Sequence, residues 1–138
     1  WGQAGFQTDI FNIQIEQEKK AIANNTKEVF VDRGILDNLI YLKLRNQESS
    51  SEYKLLNKAI SNLDIKNRYA AVFYVEPHTK ASFECKQIDT RCETTEESLK
   101  SSSAIKDAYS KYYKLITIPG NLSPGERADL ILSHIKKP

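Results

Sequence analysis

The amino-acid sequence predicts an α/β protein organised around a parallel sheet with right-handed crossovers. Three observations carry that reading. Short apolar runs alternate with longer segments whose apolar residues recur every three to four positions. The run "YAAVFYVE" at 69–76 is almost continuously apolar, as suits a strand covered on both faces. Capping-box spacings, with Ser or Thr three residues before Glu, open several of the helical segments.

From Phe6 the apolar positions Phe6, Ile10, Ile13 and Ala21 predict an amphipathic helix reaching about Asn24, where "ANNTK" interrupts it. Residues 29–32 read as a short strand. Ile35, Leu36, Leu39, Ile40 and Leu44 predict the next helix, which ends before the polar "NQESSS". Ser49-Ser50-Ser51-Glu52 has capping-box spacing, and Tyr53, Leu56, Ile60 and Leu63 form the stripe of a third helix. After the strand at 69–76, closed by Glu76-Pro77, Thr94-Thr95-Glu96-Glu97 opens a helix carrying Ile105, Ala108, Tyr109 and Tyr112 on one side. "KLITIPG" is a third strand, stopped by Pro119-Gly120. Ser123-Pro124-Gly125-Glu126 combines an N-cap, a first-turn proline and a capping-box glutamate. Leu130, Ile131 and Ile135 give the last helix its apolar face.

Composition narrows the function classes. The 138 residues suffice for one domain with a real core, and 40% apolar with 28% charged residues is ordinary for a globular protein. A net charge of +2 gives no strong nucleic-acid signal, and no run of eighteen apolar residues exists to span a bilayer. With no secretory pattern in view, the expected location is the cytoplasm. Cys85, Cys92 and His78 are too few and too widely spaced for a structural zinc site, so reduced thiols are expected. His78 reads as an exposed loop residue and His134 as a favourable charge at a helix C-terminus. The tyrosines of "AYSKYYK" fit helix packing better than a base-stacking surface. There is no Gly-x-Ser-x-Gly or Cys/His nucleophile pattern.

The segment "EVFVDRGILDNLIYL" (28–42) sets Asp32 and Arg33 where an apolar run stops. In open α/β sheets ligands collect beyond the carboxyl ends of strands. A carboxylate there can hold Mg²⁺ through water or take a proton from an acceptor hydroxyl, and a neighbouring guanidinium can clamp phosphate bidentately. The plainer alternative is that Asp32 caps the following helix and Arg33 is a solvated charge.

"VFVDRGILDNLIYL" resembles the strand and Asp-Arg-Gly-x-x-Asp segment of P-loop kinase-like AAA-domain ATPases related to ribosylnicotinamide kinase. "RYAAVFYVEP" is similar to that family's next strand. "IDTRCETTEESLKSSSAIKDAYSKYYKLITIP" looks like its lid, helix and following strand, and "SPGERADLILSHI" like its final helix. The resemblance runs over nearly the whole chain and implies a three-layer P-loop NTPase-like fold. It implies that Asp32 is the magnesium-associated or base carboxylate and that Arg33 touches phosphate. Arg91, in a lid at about 80–112, would reach over the transferring phosphoryl group. Asp37, Asp89, Pro119, Gly120 and Asn121 would line the nucleotide, with 119–123 near the adenine. ATP and Mg²⁺ are the implied cofactors, with an unidentified small-molecule or nucleotide acceptor.

One departure stands out. The Walker A pattern G-x-x-x-x-G-K-[ST] is not found in residues 1–138, and none of the five glycines precedes a lysine. With no methionine in the chain, the opening at Trp1 suggests an N-terminus produced by processing or proteolysis. The expectation is therefore a single partial domain over 1–138, lacking its first βα unit of roughly 30 to 40 residues, either by truncation, which the non-methionine start favours, or by natural loss. Such a chain is expected to be catalytically silent alone, and either to pair with another copy through its exposed sheet edge or to rearrange its sheet. A non-catalytic interaction module on the same scaffold is the alternative.

Overall fold

The computed structural model describes residues 3–24, 27–77 and 95–135. The chain divides into two compact units, Trp1–Ile65 and Lys66–Pro138, each of which builds its own interior. Six helices and two strands occur among the described residues.

The first unit is helical. α1 (Phe6–Ala23), α2 (Asp37–Leu44) and α3 (Ser51–Ser61) pack against one another. Their shared interior holds Phe11, Ile35, Leu36, Ile40, Leu42, Leu56, Ile60 and Ile65. Leu56 and Ile60 lie on the stripe predicted for α3. α1 differs from expectation, because its buried positions are Gln7, Phe11 and Glu18, whereas Ile13 is 52% exposed. The buried face is rotated by one residue from the apolar stripe and carries polar side chains.

Ser50 rather than Ser49 caps α3, its hydroxyl accepting from the Tyr53 N–H at 3.1 Å. Glu52 consequently sits one position early for a capping box and is released for another task. Its Oε2 accepts from the Gly5 N–H and its Oε1 from the Thr8 N–H, both at 3.0 Å. Gly5, the N-cap of α1, has φ +86° and no side chain with which to cap. A carboxylate from α3 thus satisfies two of the orphan donors at the start of α1.

The strand predicted at 29–32 is not formed. Glu28–Val31 has no regular secondary structure and joins no ladder among the described residues, and Asp32 and Arg33 lie in a bend. Val29, Phe30 and Val31 are 40%, 60% and 42% exposed, so all three consecutive side chains reach solvent. Alternation cannot bury both faces of a segment that nothing covers.

The second unit carries a two-stranded parallel sheet of β1 (Phe73–Val75) and β2 (Ile116–Ile118), paired Phe73 to Ile116, Tyr74 to Thr117 and Val75 to Ile118. Parallel pairing demands a long crossover, and α5 (Thr95–Ser110) lies within it. α4 (Ile65–Arg68) precedes β1, and α6 (Pro124–Ile135) packs on β2. The architecture is α/β with a parallel sheet, but the strands are shorter and wetter than predicted. Only Ile118 is fully buried, Phe73 and Tyr74 are half-buried, and Val75 is 41% exposed. α5 is tied to β1 by a 2.7 Å hydrogen bond between the Tyr74 and Ser102 hydroxyls and by the Lys106 ammonium 5.0 Å from the Tyr74 ring centre. Tyr109 is buried as predicted, whereas Tyr112 falls beyond the end of α5 and is 42% exposed. No helix among the described residues is long and apolar enough to cross a membrane.

Candidate functional site

The bend at Asp32-Arg33-Gly34 connects segment 28–31 to the two buried residues, Ile35 and Leu36, that anchor α2. Asp32 is exposed and does not cap α2, whose N-cap is Leu36 and whose first-turn acid is Asp37. Arg33 adopts φ +69°, a left-handed conformation that a residue with a Cβ enters only when its surroundings hold it there. Its carbonyl accepts from Gln14 Nε2 at a long 3.5 Å, and its guanidinium carbon stands 5.6 Å from the Tyr41 ring centre. That is within range for a cation–π contact.

Beneath Arg33 a small cleft of about 90 Å³ opens between α1 and α2. α1 contributes Phe6, Gln7, Ile10 and Gln14 to its wall, and α2 contributes Asp37, Asn38 and Tyr41. Asn38, 2% exposed, spans the base by donating to Gln14 Oε1 at 2.7 Å and to the Ile35 carbonyl at 3.1 Å. Asp37 is 6% exposed, so the carboxylate four residues after Arg33 belongs to the interior and the one just before it to solvent. Of the sequence-predicted residues, Arg33 and Asp37 share the cleft and Asp32 is not part of its wall. Gln7, Gln14 and Asn38 were missed, because polar residues inside amphipathic helices carry no motif.

In the second unit the predicted nucleotide loop forms a tight structure of its own. Gly120 is buried between exposed Pro119 and Asn121. A Cβ on Gly120 would collide with the carbonyl of Glu76 and come within 2.6 Å of that of Pro77. The loops leaving the carboxyl ends of both parallel strands therefore touch backbone to backbone, and only glycine permits it. Arg127 holds the loop from α6, with Nε donating to the Leu122 carbonyl at 2.9 Å and Nη2 to the Gly120 carbonyl at 3.2 Å. The Ser123 N–H donates to Glu126 Oε2 at 2.8 Å and the Glu126 N–H to Ser123 Oγ at 3.3 Å, the predicted capping box. Hydrogen bonds from the Ser123 hydroxyl and backbone hold the Glu126 carboxyl below its ordinary range. His134, in the last turn of α6, faces the Phe73 ring at 6.1 Å between ring centres.

Asp89 and Arg91 lie outside the described residues, as do Cys85, Cys92 and His78. Among the described residues no three His, Cys, Asp or Glu side chains gather as metal ligands. They also offer no triphosphate cradle. Asp32 and Arg33 are a single exposed pair, and the loop at 119–123 turns two of its carbonyls toward Arg127. ATP with Mg²⁺ does not fit these residues by themselves.

A family model described as an AAA domain matches residues 2–125. The chain belongs to the AAA domain family. That match makes the protein P-loop NTPase-like in nature, and it spans both units of this AAA domain chain, from α1 to the start of α6. No curated protein and no solved structure gives a significant match to the AAA domain chain.

Proposed function

We propose that this chain is the greater part of a three-layer P-loop ATPase or small-molecule kinase domain whose intact form binds Mg-ATP and transfers or hydrolyses its γ-phosphate. Supporting the reading is the AAA domain match together with the Asp32-Arg33-Gly34 turn, which presents a carboxylate and a guanidinium side by side to solvent. Asp32 is assigned to Mg²⁺ or to the acceptor proton, and Arg33 and Arg91 to phosphate charge. Asp37, Asp89 and 119–121 are assigned to nucleotide positioning. Catalysis of phosphoryl transfer is largely positioning and charge stabilisation, so guanidinium groups held near the equatorial oxygens matter more than a reactive nucleophile.

On this reading the phosphate-holding turn is supplied by sequence not contained in residues 1–138, and the chain alone turns over no ATP. Segment 28–31, whose backbone joins no ladder among the described residues, is where another strand would add, either from such a segment or from a second copy. The test is calorimetric titration of Mg-ATP into the chain with and without a preceding strand and Walker A loop. Tight binding and turnover only in the extended protein, both lost in Arg91→Ala, support the proposal. Tight Mg-ATP binding by the present chain overturns it. A non-catalytic interaction module is the second reading, favoured by the solvent-facing Val29-Phe30-Val31 strip. It predicts an extended protein that binds a partner without turnover.

A further inference from the structure

The three tyrosines at the C-terminal end of α5 do not share one environment. Tyr109 is 5% exposed, Tyr113 is half-buried and Tyr112 is 42% exposed. Tyr113 links interior to surface, its ring centre 6.4 Å from that of Tyr109 and 6.0 Å from that of Tyr69. Tyr69, directly after α4, is half-buried, and the Arg68 guanidinium carbon stands 6.0 Å from its ring centre. Rings held by such packing need little further ordering to receive a flat molecule. Positive charge gathers at the same end of the second unit. Residues 66–69 and 106–114 carry five cations, Lys66, Arg68, Lys106, Lys111 and Lys114, against one acid, Asp107, in a chain whose net charge is +2. The other acids of α5, Glu96 and Glu97, sit in its first turn, at the far end of the helix. Lys66, Lys111 and Lys114 are exposed, and none of them forms an ion pair among the described residues. The negative end of the α5 dipole accounts for a cation nearby, but not for an exposed ring set between cations.

We infer that this face of the second unit binds single-stranded nucleic acid. The run Lys111-Tyr112-Tyr113-Lys114 brackets two rings with two ammonium groups, the combination that meets bases and phosphates of one strand together. Phosphate contacts from the lysines supply sequence-independent attraction, and stacking on Tyr112 tolerates any base because every base has a π-face. A duplex keeps its bases stacked on one another and offers the rings nothing, so the partner is unpaired. An acidic peptide would engage the lysines alone and leave the Tyr112 ring unused. None of the residues assigned to Mg-ATP belongs to this surface, so the inference stands apart from the nucleotide reading.

The test is a fluorescence anisotropy titration of the 138-residue chain into a labelled thymidylate decamer. The comparison probes are an abasic decamer of equal charge, a duplex of equal length, and a polyglutamate peptide. The thymidylate strand should bind saturably, and the abasic strand at least ~10-fold more weakly, as expected when base stacking is removed. Tyr112→Ala and Tyr112→Leu should each weaken binding at least ~5-fold, whereas Tyr112→Trp, which keeps a ring, should retain it. Tyr112 is exposed, so these variants leave the interior intact, and a circular dichroism melt checks that they do. Replacing Lys111 and Lys114 together by Gln should lower the slope of log Kd against log salt by about 1.4, at roughly 0.7 for each phosphate no longer neutralised. The inference is overturned by binding that does not saturate at low salt, by abasic, duplex or polyglutamate probes matching thymidylate, or by undiminished binding in Tyr112→Ala.

Discussion

The Glu52 carboxylate of α3 caps the helix that begins after Gly5, accepting from the Gly5 N–H at 3.0 Å across 47 positions of sequence. Its second oxygen takes the Thr8 N–H at 3.0 Å and lies 3.4 Å from the Thr8 hydroxyl. Local capping is thereby replaced by a tertiary contact, and the start of α1 depends on the docking of α3. Glu52→Ala should destabilise the chain by about 1–2 kcal/mol, the usual range for a lost cap. Glu52→Gln, which keeps an acceptor but loses the charge, should cost less. Urea denaturation followed by circular dichroism measures both, and equal stability of wild type and Glu52→Ala would remove the contact from the energetics.

Gly120 and Gly125 make a matched pair with opposite expectations. At Gly120 an added methyl meets the backbone of Glu76 and Pro77, neither of which can swing aside as a side chain would. Gly120→Ala should therefore cost about 1–3 kcal/mol, as overpacking does. At Gly125, in the first turn of α6, a Cβ meets nothing within 4 Å. Gly125→Ala should stabilise by about 0.5–1 kcal/mol through lower unfolded-state entropy and better helix propensity. Thermal melts of the two variants should move in opposite directions.

Leu42 is 2% exposed among the three helices of the first unit, whereas Leu55 on α3 is 58% exposed. Truncation should separate them sharply. Leu42→Ala leaves a cavity and should cost about 2–5 kcal/mol, and Leu55→Ala should stay within ~0.5 kcal/mol of wild type. Similar losses at both sites in urea denaturation would mean that Leu55 is covered in solution.

The capping box of α6 gives a pH dependence with a definite sign. Glu126 has a folded-state pKa lowered from its ordinary 4.5, first by the Ser123 hydroxyl and then by the Ser123 backbone N–H. A depressed carboxylate contributes stability that is complete above the unfolded pKa and fades as pH falls through the folded one. The stability difference between wild type and Glu126→Gln should thus be largest at neutral pH and shrink below about pH 4.5. Denaturation midpoints at pH 7 and pH 3 measure it, and a gap that widens in acid would refute the assignment.

What the sequence determined by itself is the set of local elements. The helices at 6–23, 51–61, 95–110 and 124–135 follow from apolar spacing and punctuation, and the Ser123–Glu126 box from four adjacent residues. The strands at 73–75 and 116–118 sit inside the predicted runs, because residues rich in Val, Ile, Phe and Tyr favour extended backbone. Arg33 and Asp37 were legible as site candidates from one dense motif. What only the tertiary structure decided depends on partners distant in sequence. Val29–Val31 has strand composition, but a strand exists only when a neighbour accepts its hydrogen bonds, and none of the described residues pairs with it in a ladder. The burial of Gln7 and Asn38, the rotation of α1 away from its apolar stripe, and the recruitment of Glu52 to another helix were equally hidden. Each is settled by which surfaces meet, and helix periodicity records the direction of a side chain without saying what will be found there.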